Sequence, residues 1–435
     1  GVLALATLGF FWRVVAGQNW MPADGGDLVS FLYPTYRFTA AALADGALPL
    51  WNPHLYGGAP HVGDIQAGFL YPPNLLLFLL RPAFPYSALQ GLSIAHIWFA
   101  GAGMYLWLVR GLRTRRIAAL AGALAFMFSD AFVTHFGNLN FNGVASWLPW
   151  VFWAFGSPLD SALRPVVARL IRAALAGVLL AVATLAGHIQ ATLFIALALA
   201  FYAACEVWLA HAEPDVKVRG AAAVLALAVC FLVAVLLAAP VLLPSLQLAG
   251  QTARADWSYA ETAGYSLSPA QWIGWLIPGF FGRGPQFHWG AWPRVEIGYL
   301  GILPLILAGL ALALRRERRT WALAALAAGS FLLALGIYAI PHGWLTLLPG
   351  FGQLRAPARF VLLTDFALAG LAALGLDILL RPLSGPAAVV FNRAWRLVGR
   401  ATAAVWAVAA SPGPGRTGST TSPSPARSSA AGPAA

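Results

Sequence analysis

The stretch that decides the fold is AAAVLALAVCFLVAVLLAAPVLL, from Ala221 to Leu243, which contains no charged residue. A helix of roughly 20 apolar residues crosses the hydrocarbon core of a bilayer, so this stretch predicts a transmembrane helix. The whole chain of 435 residues has the same character, since 60% of it is hydrophobic, 10% is charged and the mean hydropathy is +0.73. Because an average soluble domain is about half apolar and about a quarter charged, the composition excludes an ordinary soluble protein.

Apolar windows that predict further crossings recur along the chain. They lie near 1–17, 87–109, 117–136, 143–157, 173–187, 190–209, 221–244, 296–314, 321–340, 360–380 and, more weakly, 397–410. The sequence therefore predicts an all-α polytopic membrane protein, with about 10–11 transmembrane helices in a domain over residues 1–410. The start at Gly1, inside an apolar window, suggests a trimmed beginning. The Ser, Pro, Gly and Ala of residues 411–435 predict a disordered tail.

The basic residues indicate which loops face the cytoplasm. The net charge is +12, and most cations lie in the short segments 110–116, 158–172, 210–220, 315–319 and 381–400. Short loops rich in Arg and Lys tend to stay cytoplasmic, so the basic excess sets the topology and predicts a lipid bilayer, with no nucleic acid, as partner. The large loops 18–86 and 245–295 then face outward. Within the first of them, Phe69 to Leu80 contains Pro72 and Pro73 and predicts an interfacial helix.

Groups that transfer protons or bind metals concentrate on the predicted outer side, which includes most Asp and His residues. Any chemistry is therefore expected there. Cys205 and Cys230 both lie in apolar stretches, so neither a disulfide framework nor a cysteine metal site is indicated. The chain also lacks the sequence patterns of phosphate-binding loops, zinc proteases and hydrolase nucleophile elbows.

Several short motifs support a more specific interpretation. The first outer loop contains GGDL at 25–28, GALPLWNP at 46–53 and YPPN at 71–74, and GHIQ at 187–190, EIGYLG at 296–301 and LRAPARF at 354–360 follow. In these motifs the chain resembles the YfhO-like bacterial membrane proteins, which belong to the GT-C superfamily of polytopic glycosyltransferases. The resemblance covers most of residues 20–380. Members of this family are commonly longer, so the chain looks incomplete at its end.

The resemblance implies a GT-C-like bundle that acts at the outer face of a bacterial plasma membrane. Such an enzyme moves a sugar from a polyprenyl-phosphate-linked donor to an acceptor of the cell envelope. An acidic residue of the first outer loop removes or positions the acceptor proton, and the matching residue is Asp27. A carboxylate within hydrogen-bond reach suits this task, because a sugar hydroxyl is a poor nucleophile at neutral pH. Asp27 is equally suited to cap the helical pattern that starts at Leu28.

Other polar residues are candidates for supporting roles or acceptor binding: Asp24, Asp64, His61, Asp130, His188 and Gln190. Asp130, with His135, Asn138 and Asn140 nearby, could hold Mg²⁺ or Mn²⁺, although no spacing here is diagnostic of a metal. Ordinary loop hydrogen bonds and helix capping are the alternatives for Asp64, His188 and Gln190.

A lipid phosphate needs cations on the outer side, where the chain has few. The candidates for the donor phosphate are Arg254, Arg294, Arg355 and Arg359, because guanidinium groups bind phosphate in a fork geometry. Arg355 and Arg359 would share one face of a helix, and snorkelling to lipid headgroups is their alternative role. For the whole chain, a secondary transporter or flippase for a lipid-linked saccharide and a non-catalytic membrane scaffold remain alternatives.

Overall fold

The computed structural model describes residues 1–23, 25–157, 166–211, 216–282, 289 and 297–381, with isolated positions 389, 393, 396 and 400. The chain divides into two compact units, Gly1–Pro382 and Leu383–Ala435, and nearly all described residues belong to the first. The predicted boundary at residue 410, the tail 411–435 and all of the window 397–410 except position 400 lie outside the described part. In that part, the strands are β1 (Trp51–Asn52) and β2 (Ala59–Pro60), which pair antiparallel with Trp51 opposite Pro60.

Helices make up most of the first half. They are α1 (Val2–Phe10), α2 (Trp12–Val15), α3 (Tyr33–Ala44), α4 (Pro72–Leu80), α5 (Tyr86–Arg110), α6 (Arg116–Met127), α7 (Asp130–Val133), α8 (Leu139–Ala145), α9 (Leu148–Phe155), α10 (Val166–Leu185) and α11 (Ile189–Leu209). A π-helical turn, Leu28–Leu32, precedes α3, and a 3₁₀ turn covers Ile65–Ala67.

The second half of the chain also consists of helices and short 3₁₀ turns. Its helices are α12 (Val216–Ala249), α13 (Tyr259–Thr262), α14 (Ile302–Leu314), α15 (Arg318–Ala334), α16 (Ile340–Leu345) and α17 (Val361–Leu379). Its 3₁₀ turns are Ala253–Asp256, Pro269–Trp275, Gly336–Tyr338, Phe351–Gln353 and Pro357–Phe360.

Among the described residues, five helical segments are long and apolar enough to cross a membrane. They are α5, α10, α11, most of α12 (Lys217–Ala249), and Pro357–Leu379, which contains α17. Helices α6 and α14 are apolar but shorter. This agrees with the predicted all-α membrane protein, whereas the count of about 10–11 crossings and the GT-C arrangement stay predictions. The nine residues of α4 are too few to span a bilayer, as expected for an interfacial helix.

Some predicted windows are divided into shorter helices. The window 117–136 is interrupted after Met127, and Ser129 then precedes α7. The window 143–157 overlaps the end of α8 and all of α9, which has Pro149 in its first turn. Proline lacks the backbone N–H of a helix interior but fits the first turn, so Pro149 favours a new helix start.

Helix α17 lies at the centre of the bundle. In its best apolar window 83% of the residues are buried, against 22% in α12, and α17 packs against α14, α15 and α6. Gly375 permits the closest approach, since a Cβ there would collide with the backbone of Leu307 in α14. Small residues at helix interfaces are typical of membrane bundles, where close packing replaces the hydrophobic effect.

Three of the predicted inner loops meet at one end of this bundle. The Asp377 carboxylate, fully buried near the end of α17, accepts hydrogen bonds from the Arg115 backbone N–H at 2.9 Å and from Arg381 Nη2 at 2.6 Å. Arg315 Nη1 lies 3.4 Å from the same carboxylate, and Arg319 donates to the Gly111 carbonyl. The clustering of these loops is what the alternation of basic segments predicts.

Candidate functional site

Segments of the predicted outer side meet at the start of α11. Asn140 Nδ2 donates to the Gln66 carbonyl at 2.6 Å and to the Gly187 carbonyl at 3.3 Å, so it joins the first outer loop to the turn between α10 and α11. Gly187 has φ +94°, and a Cβ there would lie 2.5 Å from the Ile65 carbonyl oxygen. Only glycine fits this approach, and the 64–67 turn is therefore held against the start of α11.

Gln190 connects this start of α11 to the arginine segment. Its side chain is buried, with Nε2 donating to the Arg355 carbonyl at 2.6 Å and Oε1 accepting from Arg359 Nη1 at 3.1 Å. Both ends of one amide are thus used, so Gln190 fixes the backbone of Arg355 and the guanidinium of Arg359 together. The structure places Gln190 beside two of the predicted phosphate ligands.

The prediction that Arg355 and Arg359 share one face of a helix is wrong. Ala356 between them has φ +63°, and a 3₁₀ turn starts at Pro357. Proline disfavours the α-helical conformation in the residue before it, so the chain turns at Ala356. Gln190 nevertheless holds the two arginine positions close together.

Arg254 joins the pair through a shared aromatic residue. The Arg254 guanidinium lies 5.1 Å from the centre of the Trp257 ring, and that of Arg355 lies 5.9 Å from the same ring and 5.8 Å from Tyr265. Partial burial of its guanidinium, followed by the charges of Arg355 and Arg359, lowers the pKa of Arg254, against the opposing effect of Asp64. Arg254 is thus within electrostatic reach of two further cations and of the Asp64 carboxylate.

Asp64 contributes the carboxylate of this group. Its Oδ1 accepts from the Gln66 backbone N–H at 3.0 Å, which caps the 3₁₀ turn Ile65–Ala67. Burial raises the pKa of Asp64, and the Gln66 N–H and the Arg254 charge oppose that rise. A carboxylate of raised pKa is a better proton acceptor than an exposed one, which makes Asp64 suitable as a general base.

His188 is the next residue of the group. Its Nδ1 accepts from the Ala191 backbone N–H at 3.2 Å, so the predicted capping of the helix is present and the remaining proton of the neutral ring is assigned to Nε2. Burial, followed by the charges of Arg359, His135 and Arg254, holds the pKa of His188 well below its usual range. A neutral imidazole donor therefore lies beside the cations, at the positive end of the α11 dipole.

The remaining predicted residues of the first outer loop lie elsewhere. Asp27 is exposed directly before the π-helical turn Leu28–Leu32, and among the described residues its side chain makes no capping hydrogen bond. His61 is buried, with Nε2 2.9 Å from Thr39 Oγ1 and its ring against Phe38. Burial lowers the pKa of His61 to about 4. Asp24 lies outside the described residues, as does Arg294 of the second outer loop.

Asp130 holds a neighbouring loop segment. Its Oδ2 accepts from the backbone N–H groups of Ile297 at 2.9 Å and Gly298 at 3.1 Å, and its own N–H donates to the Tyr299 carbonyl. Asn138 and Asn140, the predicted companions of Asp130 in a metal site, are engaged in helix capping and loop contacts. Within the described ranges, no three His, Cys, Asp or Glu side chains are grouped as metal ligands.

Residues that the sequence did not single out complete the site. They are Trp257 and Tyr265, which provide ring faces for the guanidinium groups. The aromatic content of the 245–295 loop is the only sequence signal for the rings, and nothing in the sequence distinguishes these two from their neighbours. Asn140 was expected only as a companion of Asp130, and its contacts with Gln66 and Gly187, which fasten the first outer loop, join residues distant in the chain.

Comparison with family models, curated proteins and solved structures finds no match for this chain. The fold and the site define a class only: a helical protein suited to a membrane, in which the loop after α12 and the segment before α17 bring three arginine residues together against the start of α11.

Proposed function

We propose that the protein is a glycosyltransferase of the GT-C type, which moves a sugar from a polyprenyl-phosphate-linked donor to a cell-envelope acceptor at the extracytoplasmic face. The observation that carries the proposal is the grouping of Arg254, Arg355 and Arg359, which Trp257 and Gln190 hold together, with the Asp64 carboxylate close enough to interact with Arg254. Charge-assisted bonds from guanidinium groups are the strong mode of phosphate recognition. The excess of positive charge favours binding of an anion at this arginine cluster.

The position of the arginine cluster suits a phosphate group at a membrane surface. Arg254 and Arg355 are exposed, whereas Gln190 behind them is buried and holds the Arg359 guanidinium. The N-terminal end of the 21-residue helix α11 adds a partial positive charge at the same place. Rigid support behind accessible cations is what binding of a phosphate group requires.

The transfer step itself needs a proton acceptor near that phosphate. As the acceptor hydroxyl oxygen bonds to the anomeric carbon, the bond from this carbon to the phosphate oxygen breaks and the lipid phosphate leaves with the electron pair. The hydroxyl proton passes to a carboxylate. Asp27 is the base implied by the family resemblance, whereas Asp64 is favoured by its interaction with Arg254 and by its raised pKa. We assign the proton transfer to Asp64, and Asp27 is the alternative.

A lipid-retention experiment tests the phosphate site. Lipids that co-purify with the full chain in one mild detergent are identified by mass spectrometry for wild type, Arg355→Gln and Arg81→Gln. The last variant removes the same charge from an exposed residue outside the arginine cluster. We expect polyprenyl-phosphate sugars on wild type and Arg81→Gln, and a roughly tenfold or greater loss in Arg355→Gln, since a hydrogen bond to a charged group contributes about 1.5–3 kcal/mol. Absence of such lipids from well-folded wild type contradicts the proposal.

A second experiment distinguishes the two carboxylates. Consumption of the donor lipid is followed in membranes that contain wild type, Asp64→Asn or Asp27→Asn. If Asp64 is the base, Asp64→Asn retains the donor but consumes it at least a hundredfold more slowly, since general base catalysis contributes roughly 10²–10⁴-fold. Asp27→Asn then stays near wild type. The reverse result assigns the step to Asp27, and full activity in both variants excludes a carboxylate base in this loop.

One observation favours the flippase alternative. Asp365 is fully buried in α17, and neither carboxylate oxygen has a hydrogen-bond partner of good geometry among the described residues, although Ser129 and the Ala131 backbone lie near it. Ionisable groups inside membrane helices often mark transport pathways. A flippase would move the donor lipid between leaflets without consuming it, so the consumption assay separates the two functions.

A further inference from the structure

Two loops on the predicted cytoplasmic side each contain two adjacent arginine residues. One pair, Arg115 and Arg116, lies at the start of α6, and the other, Arg315 and Arg316, follows α14 directly. Membrane topology accounts for the presence of basic residues in such loops, but not for their arrangement in space. The structure gives the two members of each pair different surroundings.

The first arginine of each pair is fixed at the end of α17. Arg115 donates through Nη1 to the Leu380 carbonyl, and Arg315 Nη1 lies 3.4 Å from Asp377 Oδ2. Arg381 Nη2 donates to the same Oδ2 at 2.6 Å, while Oδ1 accepts from the Arg115 backbone N–H at 2.9 Å. One fully buried carboxylate thus holds both loops against the last turn of α17.

The second arginine of each pair is exposed. Among the described residues, the side chains of Arg116 and Arg316 have neither a hydrogen-bond partner nor an ion-pair partner. The two acids at this end, Asp377 and Glu317, both already interact with Arg315. We call five residues the inner cluster: Arg115, Arg116, Arg315, Arg316 and Arg381. Five positive charges against two negative charges leave an excess of three at this end of the bundle.

Apolar surface continues from the inner cluster along the neighbouring helices. Ile117, the next residue of α6, is 65% exposed. On α14, Ile306 is 61% exposed, and the exposed small residues Gly309 and Ala313 lie between it and the cluster. The last residues of α17, 378–380, are only partly buried, whereas most of that helix is buried. A ligand bound at the cluster can therefore place hydrocarbon against α6, α14 and the end of α17.

A phosphate group that carries hydrocarbon chains fits both features. Guanidinium groups bind phosphate oxygens through charge-assisted hydrogen bonds, and basic sites between helices at the cytoplasmic end of a bundle bind anionic lipid headgroups. A soluble phosphate would use the cations and leave the adjoining apolar surface without a partner. Because the first arginine of each pair is fixed, the second is presented from a rigid support.

We propose that the inner cluster binds the phosphate headgroup of an anionic phospholipid of the cytoplasmic leaflet, with the acyl chains against α6 and α14. Arg116 and Arg316 contact the phosphate, and Asp377 positions the two loops that carry them. The inner cluster shares no residue with the group around Arg254, so this inference does not depend on the function proposed above.

Lipid binding to the delipidated full chain in one mild detergent tests the inference, with native mass spectrometry as the measurement. The probes are phosphatidylglycerol, phosphatidylcholine and sn-glycerol 3-phosphate. Phosphatidylcholine has the phosphate and both chains but no net charge, and sn-glycerol 3-phosphate has the phosphate without chains. We expect wild type to bind phosphatidylglycerol about tenfold or more tightly than either other probe, since each basic residue near an anionic lipid adds to the attraction.

Three double variants identify the residues responsible. Arg116→Gln with Arg316→Gln removes the two exposed guanidinium groups and leaves the bonds of Asp377 intact. Arg13→Gln with Arg81→Gln is the matched control, because both residues are exposed and lie outside the inner cluster. Arg116→Lys with Arg316→Lys keeps the charge that sets topology but loses the fork geometry.

We expect phosphatidylglycerol binding to weaken about tenfold or more in the Gln pair at the inner cluster, to weaken less in the Lys pair and to stay at the wild-type value in the control. If the double Gln variant does not fold, Arg316→Gln alone is measured, with about threefold or greater weakening expected.

Three results would overturn the inference. Equal binding of phosphatidylglycerol and phosphatidylcholine by wild type would leave the inner cluster with a role in topology alone. A loss of phosphatidylglycerol binding that the control variant shares would show general attraction to a basic protein instead of a site. Binding of sn-glycerol 3-phosphate as tight as that of phosphatidylglycerol would assign the cluster to a soluble phosphate.

Discussion

Replacing Asp130 by alanine should loosen the loop segment that Asp130 holds. Its Oδ2 accepts two backbone N–H groups, Ile297 at 2.9 Å and Gly298 at 3.1 Å. Hydrogen bonds to a charged group contribute about 1.5–3 kcal/mol each, and Asp130 is only half-buried, so the lower end of the range applies. The expected loss for Asp130→Ala is therefore about 3 kcal/mol, and about half of that for Asp130→Asn, which keeps one acceptor oxygen.

The assay is the apparent melting temperature of the purified protein in one detergent at one heating rate, because unfolding of large proteins is often irreversible. A loss of about 3 kcal/mol corresponds to a decrease of roughly 5–10 °C. Asp45→Ala is the control, since Asp45 is exposed at the end of α3. Faster hydrogen exchange at the Ile297 and Gly298 amides should accompany the lower melting temperature in the Asp130 variants alone.

Two results would refute this reasoning. A melting temperature for Asp130→Ala within a degree or so of the control, with unchanged exchange at both amides, would mean that the two hydrogen bonds contribute little. A rise in wild-type melting temperature with Mg²⁺ or Mn²⁺ that Asp130→Ala abolishes would restore the metal-binding role predicted from sequence, because a ligand that binds only the folded state stabilises it.

Three further variants test the electrostatics and backbone of the predicted outer side. Because burial raises the pKa of Asp64, its ionised form lowers stability as the pH rises through that pKa, so Asp64→Asn should melt no lower than wild type at pH 8; a clearly lower value contradicts this. The pKa of His61 and that of His342 are lowered by burial to about 4, so stability should fall as the pH decreases from about 6.5 to about 4, and His61→Gln should reduce that fall in a series of melting curves. Gly187→Ala, at φ +94° and against the Ile65 carbonyl, should cost about 1–3 kcal/mol in the same assay, and an unchanged melting temperature would show that the 64–67 turn is not held there.

The sequence predicts the long helices well because one property, an unbroken apolar stretch, determines them. The windows 87–109 and 190–209 coincide closely with α5 and α11, and 221–244 lies within α12. Hydropathy does not show where a helix stops inside an apolar stretch. Next to the break after Met127, Asp130 accepts hydrogen bonds from residues 297 and 298, a contact between segments far apart in the chain that hydropathy does not reveal.

The arginine residues of the site were predictable from their rarity on the outer side. Arg254, Arg355 and Arg359 do come together, but Gln190 and Trp257 are the residues that bring them there. The hydrogen bond from Arg359 to Gln190 joins residues that are 169 positions apart in the chain, and no spacing rule connects such residues. The error over the shared helix face was avoidable, because Pro357 already disfavours a helical conformation at Ala356.

The geometry also bears on which carboxylate can act with the arginine residues. Asp64 lies at the start of a turn that two contacts hold in place. Asn140 donates a hydrogen bond to the Gln66 carbonyl, and Gly187, which has no Cβ, leaves room for the Ile65 carbonyl. The same Asn140 amide bonds the carbonyl of Gly187, three residues before the Gln190 side chain that holds Arg359. A series of hydrogen bonds thus connects the turn of Asp64 to the segment that holds Arg359, and such preorganisation would favour Asp64 in the proposed proton transfer. Asp27 lies at the exposed start of a π-helical turn and has no such connection among the described residues, so a catalytic Asp27 would need the bound acceptor or a movement of the loop to bring it to the phosphate.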